Sequence, residues 1–183
     1  PDPDVPGKSV ARYGGFIADA ELFANDFFGI TPAEASHMDP QQRLVLEAGY
    51  HALHSAGHVK ETLTGSETSV CVGLCNMDWM LRGVLGQTGG PHALTGTDTA
   101  IIAGRFSYVF GLRGAAMVVN TACSSSLVAL DVCSGMIVRS ATGDGLVIGV
   151  NMLCLPIGFC AASQAHVLCA DGRCKTFDQR ANG

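Results

Sequence analysis

Charged side chains are scarce in this chain, at 15% of its 183 residues, whereas hydrophobic residues make up 48%. This balance excludes an intrinsically disordered chain and indicates a globular domain with a large buried fraction. Basic residues are few as well, since only 11 are scattered along the sequence and the net charge is −5. The sequence has no basic patch that would bind nucleic acid or an anionic membrane, so neither partner is predicted.

An uninterrupted apolar run of membrane-spanning length is also missing from the sequence. The longest apolar stretch, Gly145 to Ala162, contains Asn151 and Pro156. It predicts a buried strand followed by a turn, and no membrane span. The chain begins at Pro1 with neither a methionine nor a signal-like apolar core, which leaves open whether a targeting peptide precedes it. The expected location is the cytoplasm, with a plastid or another organelle as the alternative.

Metal-site spacings are absent among the eight cysteines. The chain length, the aliphatic content and the irregular cysteine spacing favour reduced thiols over a disulfide framework. His51, His54 and His58 have helical spacing, but Gly57 interrupts them, so no metal site is predicted there either. Four cysteines lie in apolar sequence and are interpreted as packing thiols, namely Cys71, Cys133, Cys154 and Cys160.

Two helix-capping signals open the regular part of the sequence. Thr31-Pro32-Ala33-Glu34 and Asp39-Pro40-Gln41-Gln42 each place a capping side chain before a first-turn proline, so two consecutive helices are predicted. The second helix is predicted from Gln41 to Ser55, ended by Gly57. Its apolar side is predicted to consist of Leu44, Val45, Ala48, Ala52 and Leu53.

Strands and helices alternate in the rest of the chain. Strands are predicted at 69–74, 117–119 and 146–150, and helices at 97–110 and 127–138. This order is typical of a layered α/β domain. The last of these helices has only Asp131 and Arg139 as charges, so we expect it to be buried nearly all round, between sheets.

The segment Asn120-Thr121-Ala122-Cys123-Ser124-Ser125-Ser126 joins a predicted strand to the helix that follows it. Cys123 is therefore expected at the first turn of a helix, where unpaired backbone N–H groups and the helix dipole favour thiolate over thiol. A thiolate is a nucleophile that can hold an acyl group as a thioester. Acyl transfer through Cys123 is the functional hypothesis, although a strand-turn-helix cysteine is also compatible with plain packing.

Five blocks follow one another along the chain in a fixed order. The first block is an amino-terminal signature in three segments, Gly14–Phe16, Phe27–Pro32 and Met38–Leu44. The other four blocks are Ala103–Gly114, Thr121–Leu130, Gly149–Asn151 and Asp171–Asp178. Together the blocks resemble the ketosynthase domain of polyketide synthases and of related fatty-acid condensing enzymes. The block from Thr121 to Leu130 resembles the active-site cysteine motif of that family.

This resemblance implies a thiolase-like α/β fold with α-β-α-β-α layers, of which the chain supplies the amino-terminal half. It implies that Cys123 accepts an acyl chain from the phosphopantetheine of an acyl carrier protein, with no cofactor bound by the enzyme itself. A malonyl-type extender on a second carrier is then decarboxylated, and its enolate attacks the Cys123 thioester to give a β-ketoacyl product. A homodimer is implied as well, with other polyketide synthase domains as further partners.

Residues 1–183 are expected to be a partial β-ketoacyl synthase domain. The family's two catalytic histidines lie in blocks carboxyl-terminal to Gly183, and its opening strand is absent. None of the six histidines is therefore assigned a catalytic role, and the isolated chain is expected to be inactive. Asn120 stands where the family usually has aspartate. A non-condensing partner that binds carrier protein and supports a dimer remains the alternative.

Further departures from the family pattern surround the same motif. Ala115-Ala116 replaces a usual proline-serine pair, Asp131 occupies a position that is often histidine, and Ile148 one that is often glycine. The last two are expected to alter packing around the active-site helix. Outside the motif, four apolar residues are interpreted as core rather than as the lining of an acyl channel, namely Met77, Trp79, Met80 and Leu81.

Overall fold

The computed structural model describes residues 5–86, 89–140 and 143–181. The chain divides into two compact units, one formed by Ala20–Met152 and the other by the described parts of Pro1–Asp19 and Leu153–Gly183. The larger unit contains the sheet and the Cys123 segment. It is therefore the unit that positions the candidate site.

Within the described residues, three parallel strands form one sheet in the order β2-β1-β3. They are β1 Ser69–Gly73, β2 Ala116–Val119 and β3 Gly145–Gly149, and each lies within one residue of its predicted bounds. Gly73 pairs with both Val119 and Gly149, so the strands end in one row. We call this row of Gly73, Val119 and Gly149 the carboxyl edge.

Helices precede and follow the strands in the larger unit. Its described residues form α1 Pro32–His37, α2 Pro40–Ser55, α3 Lys60–Leu63, α4 Asp78–Leu85, α5 Ala93–Thr97, α6 Ile101–Phe110 and α7 Ser125–Ser140. Both capping signals are confirmed, because the Glu34 N–H donates to Thr31 Oγ1 at 3.2 Å and the Gln41 N–H to Asp39 Oδ1 at 2.8 Å. The helix predicted at 97–110 is wrong in its first turn, since α5 ends where that helix was expected to begin.

Strand side chains alternate between two apolar faces of the sheet. Val70 and Val72 belong to the core formed with α2 and α6, in which Phe106 is fully buried. Cys71 belongs to the opposite core, together with Cys133 of α7. Helices therefore cover both faces of the sheet, as the predicted layered α/β domain requires.

The buried side of α2 differs from the predicted one. Val45 and Leu53 are buried as expected, but Ala48 and Ala52 are exposed and Gly49 is buried instead. A Cβ at Gly49 would lie 2.5 Å from the ring of an α6 phenylalanine. The missing side chain therefore lets α2 and α6 approach closely, which turns the helix away from the face that its apolar residues predict.

Helix α7 is exposed on one side, so the prediction that it is buried nearly all round is wrong for the described structure. Cys133 is buried against the sheet, whereas Leu127 and Val138 are 69% and 83% exposed. The reason is that one sheet, and not two, packs on α7 within the residues that the structure describes.

One stretch of the described chain, Ala122–Arg139, is long and apolar enough to cross a membrane by length and composition alone. It contains α7, whose inner face packs against β1 and β3. One side of this stretch is therefore covered by the sheet, whereas its other side is exposed. The apolar stretch from Gly145 instead forms β3 and, after Pro156, α8 Ile157–Gln164. The predicted strand is confirmed, but the prediction that it is buried holds for Leu146 alone.

Two of the residues interpreted as core are exposed in the structure. Met77 and Met80 have 47% and 38% of their surface exposed, so the core interpretation is wrong for both. Trp79 is half-buried, and its indole N–H donates to the His37 carbonyl at 2.9 Å. The indole therefore ties α4 to the end of α1.

The smaller unit contains α8 and the loop that follows it. The hydroxyl of Ser163, which is buried in α8, accepts a hydrogen bond from the Val10 N–H at 2.9 Å. In the loop, the Asp171 carboxylate accepts from the Cys169 thiol at 2.6 Å and from the Lys175 ammonium at 2.7 Å. These two donors lower the pKa of Asp171 to about 2.

Candidate functional site

Cys123 lies at the carboxyl edge of the sheet, between β2 and α7. The chain leaves β2 at Asn120, and a short 3-10 turn over Ala122–Ser124 leads into α7. Cys123 is exposed, and it lies in this 3-10 turn, which runs directly into the first α-helical residue, Ser125, in agreement with its predicted place at the start of the helix. Its thiol is therefore presented to solvent at the amino-terminal end of α7.

The residue before the cysteine has a strained backbone. Ala122 has a backbone φ of +53°. This is the left-handed conformation, which residues other than glycine rarely adopt. The Asn120 side chain supports it, because Asn120 Oδ1 accepts a hydrogen bond from the Ala122 N–H at 3.2 Å. The chain therefore reverses sharply at Ala122 and holds Cys123 clear of the sheet.

The hydroxyl of Ser125 locks the same turn from the helix side. It accepts a hydrogen bond from the Thr121 N–H at 2.9 Å and donates to the Ala122 carbonyl at 2.6 Å. Ser125 is buried, with only 5% of its surface exposed. Since both backbone groups lie just before Cys123, one buried hydroxyl fixes the path of the chain on the amino-terminal side of the cysteine.

We expect Ser125→Ala to destabilise the protein by about 1 kcal/mol, because it leaves the Thr121 N–H without its partner, whereas the Ala122 carbonyl still accepts from the Ser125 N–H. Ser124→Ala is the matched control. The Ser124 hydroxyl donates a hydrogen bond to the Thr121 carbonyl at 2.8 Å, but Ser124 is exposed. Ser124→Ala should therefore lower the free energy of unfolding by about 0.5 kcal/mol or less. Urea denaturation of the two variants measures the difference, and equal midpoints would contradict the buried role of Ser125.

Two glycines at the carboxyl edge let α7 approach the strand ends. A Cβ at Gly73 would lie 2.6 Å from the backbone nitrogen of Ser126, and one at Gly149 would lie 2.7 Å from the Ser126 Cβ. The first turn of α7 therefore rests with its backbone directly on β1, and the small Ser126 side chain lies between it and β3. This close approach sets how far Cys123 stands above the sheet.

The four cysteines of the larger unit include two buried and two exposed thiols. Cys71 and Cys133 are buried in the core under α7, as predicted for packing thiols. Burial raises the pKa of the Cys71 thiol to about 12, with a further contribution from Cys133 beside it. Cys71 therefore stays protonated and unreactive near neutral pH, whereas Cys123 and Cys75 are exposed.

The described residues around Cys123 do not form a cluster of metal ligands. Within the described ranges, no group of three or more histidine, cysteine, aspartate or glutamate side chains could hold a metal ion. Of the three spaced histidines, His58 lies 3.6 Å from the Asp144 carboxylate, and the His54 ring lies against Tyr50. An exposed thiol on a rigid turn at a helix start can form and release a thioester.

The structure adds residues to the site that the sequence prediction did not name. The prediction named Cys123 alone, whereas Ser125, Gly73 and Gly149 decide where that cysteine lies. A signal for the glycines was present, since a glycine at the end of a strand often marks close approach by another backbone. Ser125 had no such signal, because the serines around it look alike in sequence.

Comparison with models of protein families identifies the family of the chain. All of residues 1–183 match the model of the N-terminal domain of β-ketoacyl synthases. The chain belongs to the β-ketoacyl synthase family. The ketosynthase resemblance of the sequence blocks is thereby confirmed.

Curated relatives of this ketosynthase chain are polyketide synthases. The chain is 42% identical over 184 residues to a spectinabilin polyketide synthase system protein of Streptomyces orinoci, covering 100% of this chain and 8% of the relative. It is also 42% identical over 185 residues to an erythronolide synthase of Saccharopolyspora erythraea, covering 100% of this chain and 5% of the relative. The ketosynthase chain therefore spans a small part of the polyketide synthases that it matches.

Solved ketosynthase domains share the fold. The oxazolomycin ketosynthase domain of Streptomyces albus superposes with a TM-score of 0.89 at 34% identity, covering 100% of this chain and 32% of that one. The ketosynthase from module 6 of the bacillaene synthase of Bacillus subtilis gives 0.85 at 35% identity, with 96% and 29% covered. These matches confirm the thiolase-like α/β fold that the sequence blocks predict.

The departures of this ketosynthase from its family pattern occupy defined places in the structure. Asn120 keeps a side-chain oxygen that holds the turn. Ala116 begins β2 and pairs with Val70, Asp131 is exposed on α7, and Ile148 packs against the core on the α2 side. None of these residues displaces Cys123 from the carboxyl edge.

Proposed function

We propose that this chain is the cysteine-bearing part of a polyketide synthase ketosynthase, and that Cys123 is its acyl-accepting nucleophile. The observation that carries the proposal is the exposed Cys123 thiol, held at the start of α7 by the strained turn at Ala122. Cys71 and Cys133, by contrast, are buried in the core. A buried thiol with a raised pKa is a poor nucleophile, so the exposed thiol is the better acceptor.

The proposed reaction has two stages. In the first, the Cys123 sulfur attacks the thioester carbonyl of an acyl group on the phosphopantetheine of an acyl carrier protein, and the carrier thiol leaves with a proton. In the second, a malonyl-type thioester on a carrier loses carbon dioxide, and the resulting enolate carbon attacks the Cys123 thioester. The Cys123 sulfur then leaves as thiolate. The backbone N–H of Cys123 is the proposed donor to the oxyanion of both tetrahedral intermediates.

Several parts of this activity lie outside the chain. We assign the decarboxylation step to two histidines in ketosynthase sequence carboxyl-terminal to Gly183, so the isolated chain is expected to be inactive. The exposed apolar side of α7, with Leu127 and Val138, supports this view because it lacks cover among the described residues. We also propose a homodimer, an acyl carrier protein and further polyketide synthase domains as partners, and a cytoplasmic location.

The proposal is tested by locating the acyl group directly. The full ketosynthase that contains this chain is incubated with an acyl thioester on carrier protein, digested and analysed by mass spectrometry. We expect the acyl mass on the peptide containing Cys123 and not on the peptide containing Cys75, the other exposed thiol of the larger unit. Acylation elsewhere, or an adduct that persists in Cys123→Ala, overturns the proposal. Acylation without any condensed product supports the non-condensing alternative instead.

A further inference from the structure

Gln41, the second residue of α2, has a buried side chain that bonds outside its own helix. Only 1% of its surface is exposed, although its amide carries donors and an acceptor that need partners when buried. Its Nε2 donates to the Asp39 carboxylate at 3.2 Å and to the Asn76 carbonyl at 3.2 Å, while Oε1 accepts from the Met152 N–H at 3.0 Å. One amide therefore joins three separate segments.

The two distant partners of Gln41 are backbone groups in the loops that follow β1 and β3. Asn76 comes three residues after Gly73, and Met152 comes three residues after Gly149. Both strands end at the carboxyl edge, where the first turn of α7 also rests. The loop after β2 carries Cys123. The loops that Gln41 holds thus follow the neighbouring strands β1 and β3, on whose ends the first turn of α7 rests.

We propose that Gln41 is a positioning residue for the Cys123 site, and that its amide holds the loops after β1 and β3 in fixed relation to the cysteine turn. The inference rests on the proposed function of Cys123. Asp39 orients the amide, because its carboxylate accepts from the Gln41 N–H as well as from Nε2. The strand ends that support the start of α7 are therefore followed by loops that one side chain joins.

Gln42 provides a matched control beside it. It is equally buried, at 2% exposed, and its Nε2 also bonds to backbone carbonyls, at 3.1 Å to Thr95 and 3.3 Å to Gly96. Those carbonyls belong to α5 and not to loops at the carboxyl edge. Substituting Gln42 therefore removes comparable buried hydrogen bonds without releasing either of the loops that Gln41 holds.

The test compares Gln41→Met with Gln42→Met in the full ketosynthase. Single-turnover acyl transfer to Cys123 is measured over a range of acyl-carrier concentrations, and hydrogen exchange is followed at the Met152 amide. We expect Gln41→Met to lower the rate at saturating donor about tenfold or more, because small displacements of reacting groups carry large rate penalties. Its Met152 amide should exchange about tenfold faster, whereas Gln42→Met should change both values less than about twofold.

The outcomes separate the two proposals. If wild-type protein is not acylated at Cys123, the proposed function fails. If it is acylated and the two methionine variants lose the same rate, the positioning role fails. Asp39→Asn covers the case in which Gln41→Met does not fold, since an amide at position 39 still caps α2 through its oxygen but its nitrogen cannot accept from Gln41 Nε2. Met152 exchange should then become faster and the rate at saturating donor should fall, and an unchanged rate contradicts the proposal.

Discussion

Cys123→Ser should lower the rate of acyl loading at least about a thousandfold, because a serine hydroxyl is not ionised near neutral pH and is a far weaker nucleophile. The substitution replaces one atom and preserves the shape of the side chain. The turn should survive, since Asn120 and Ser125 hold it through their own side chains and Cys123 is exposed. The loss should therefore fall on chemistry and not on folding.

Cys75→Ser is the matched control for this prediction. Cys75 is also an exposed thiol, and it follows β1 at the same carboxyl edge. Single-turnover acylation by a carrier-bound acyl thioester, with thermal unfolding of each variant, separates the two cysteines. We expect Cys75→Ser to load at nearly the wild-type rate. A comparable loss in both variants, or rapid loading of Cys123→Ser, contradicts the assignment of Cys123 as the nucleophile.

Gly73→Ala should damage both stability and the site, although it adds a single methyl group. The added Cβ would meet backbone atoms of Ser125 and Ser126 at 2.6–2.7 Å, and backbone cannot rotate away as a flexible side chain does. The start of α7 must therefore move off β1. We expect a destabilisation of about 1–3 kcal/mol from overpacking. Because Cys123 moves with the helix start, acyl transfer should fall by about 10- to 100-fold in the folded fraction.

Gly104→Ala is the control for adding a methyl group where there is room. Gly104 lies in the interior of α6, and a Cβ built there meets no atom within 4 Å. Alanine should stabilise the helix by about 0.5–1 kcal/mol, because glycine loses more backbone entropy on folding. Urea midpoints and acylation rates of the two variants measure the contrast. A harmless Gly73→Ala would show that α7 does not depend on its close approach to β1.

Local sequence signals predicted the local structure well. The Thr31 and Asp39 caps bond to the backbone as their spacing indicates, because a cap involves residues only two or three positions apart. The strands were found from apolar runs bounded by breakers, and the ordered blocks identified the family that the comparisons confirm. Cys123, the proposed nucleophile, was also chosen from sequence, since its setting between a strand and a helix is a local pattern.

Predictions that depended on distant parts of the chain were less successful. The core side of α2 was misjudged because the contact between Gly49 and α6 decides it. The burial of α7 was overestimated, since it depends on how many sheets pack against the helix. Met77 and Met80 were assigned to the core from their apolar side chains alone, and both are exposed. Burial depends on what the rest of the chain places beside a residue.

The sequence by itself determined where strands, caps and the cysteine turn occur, because hydrogen bonds and sterics between near neighbours govern all three. It also determined that Cys123 stands between a strand and a helix. Only the tertiary structure decided where that thiol lies. Parallel pairing aligns the ends of β1, β2 and β3, and Gly73 and Gly149 admit the start of α7. The Gln41 amide then joins loops 35 and 111 residues away, contacts that no local pattern encodes.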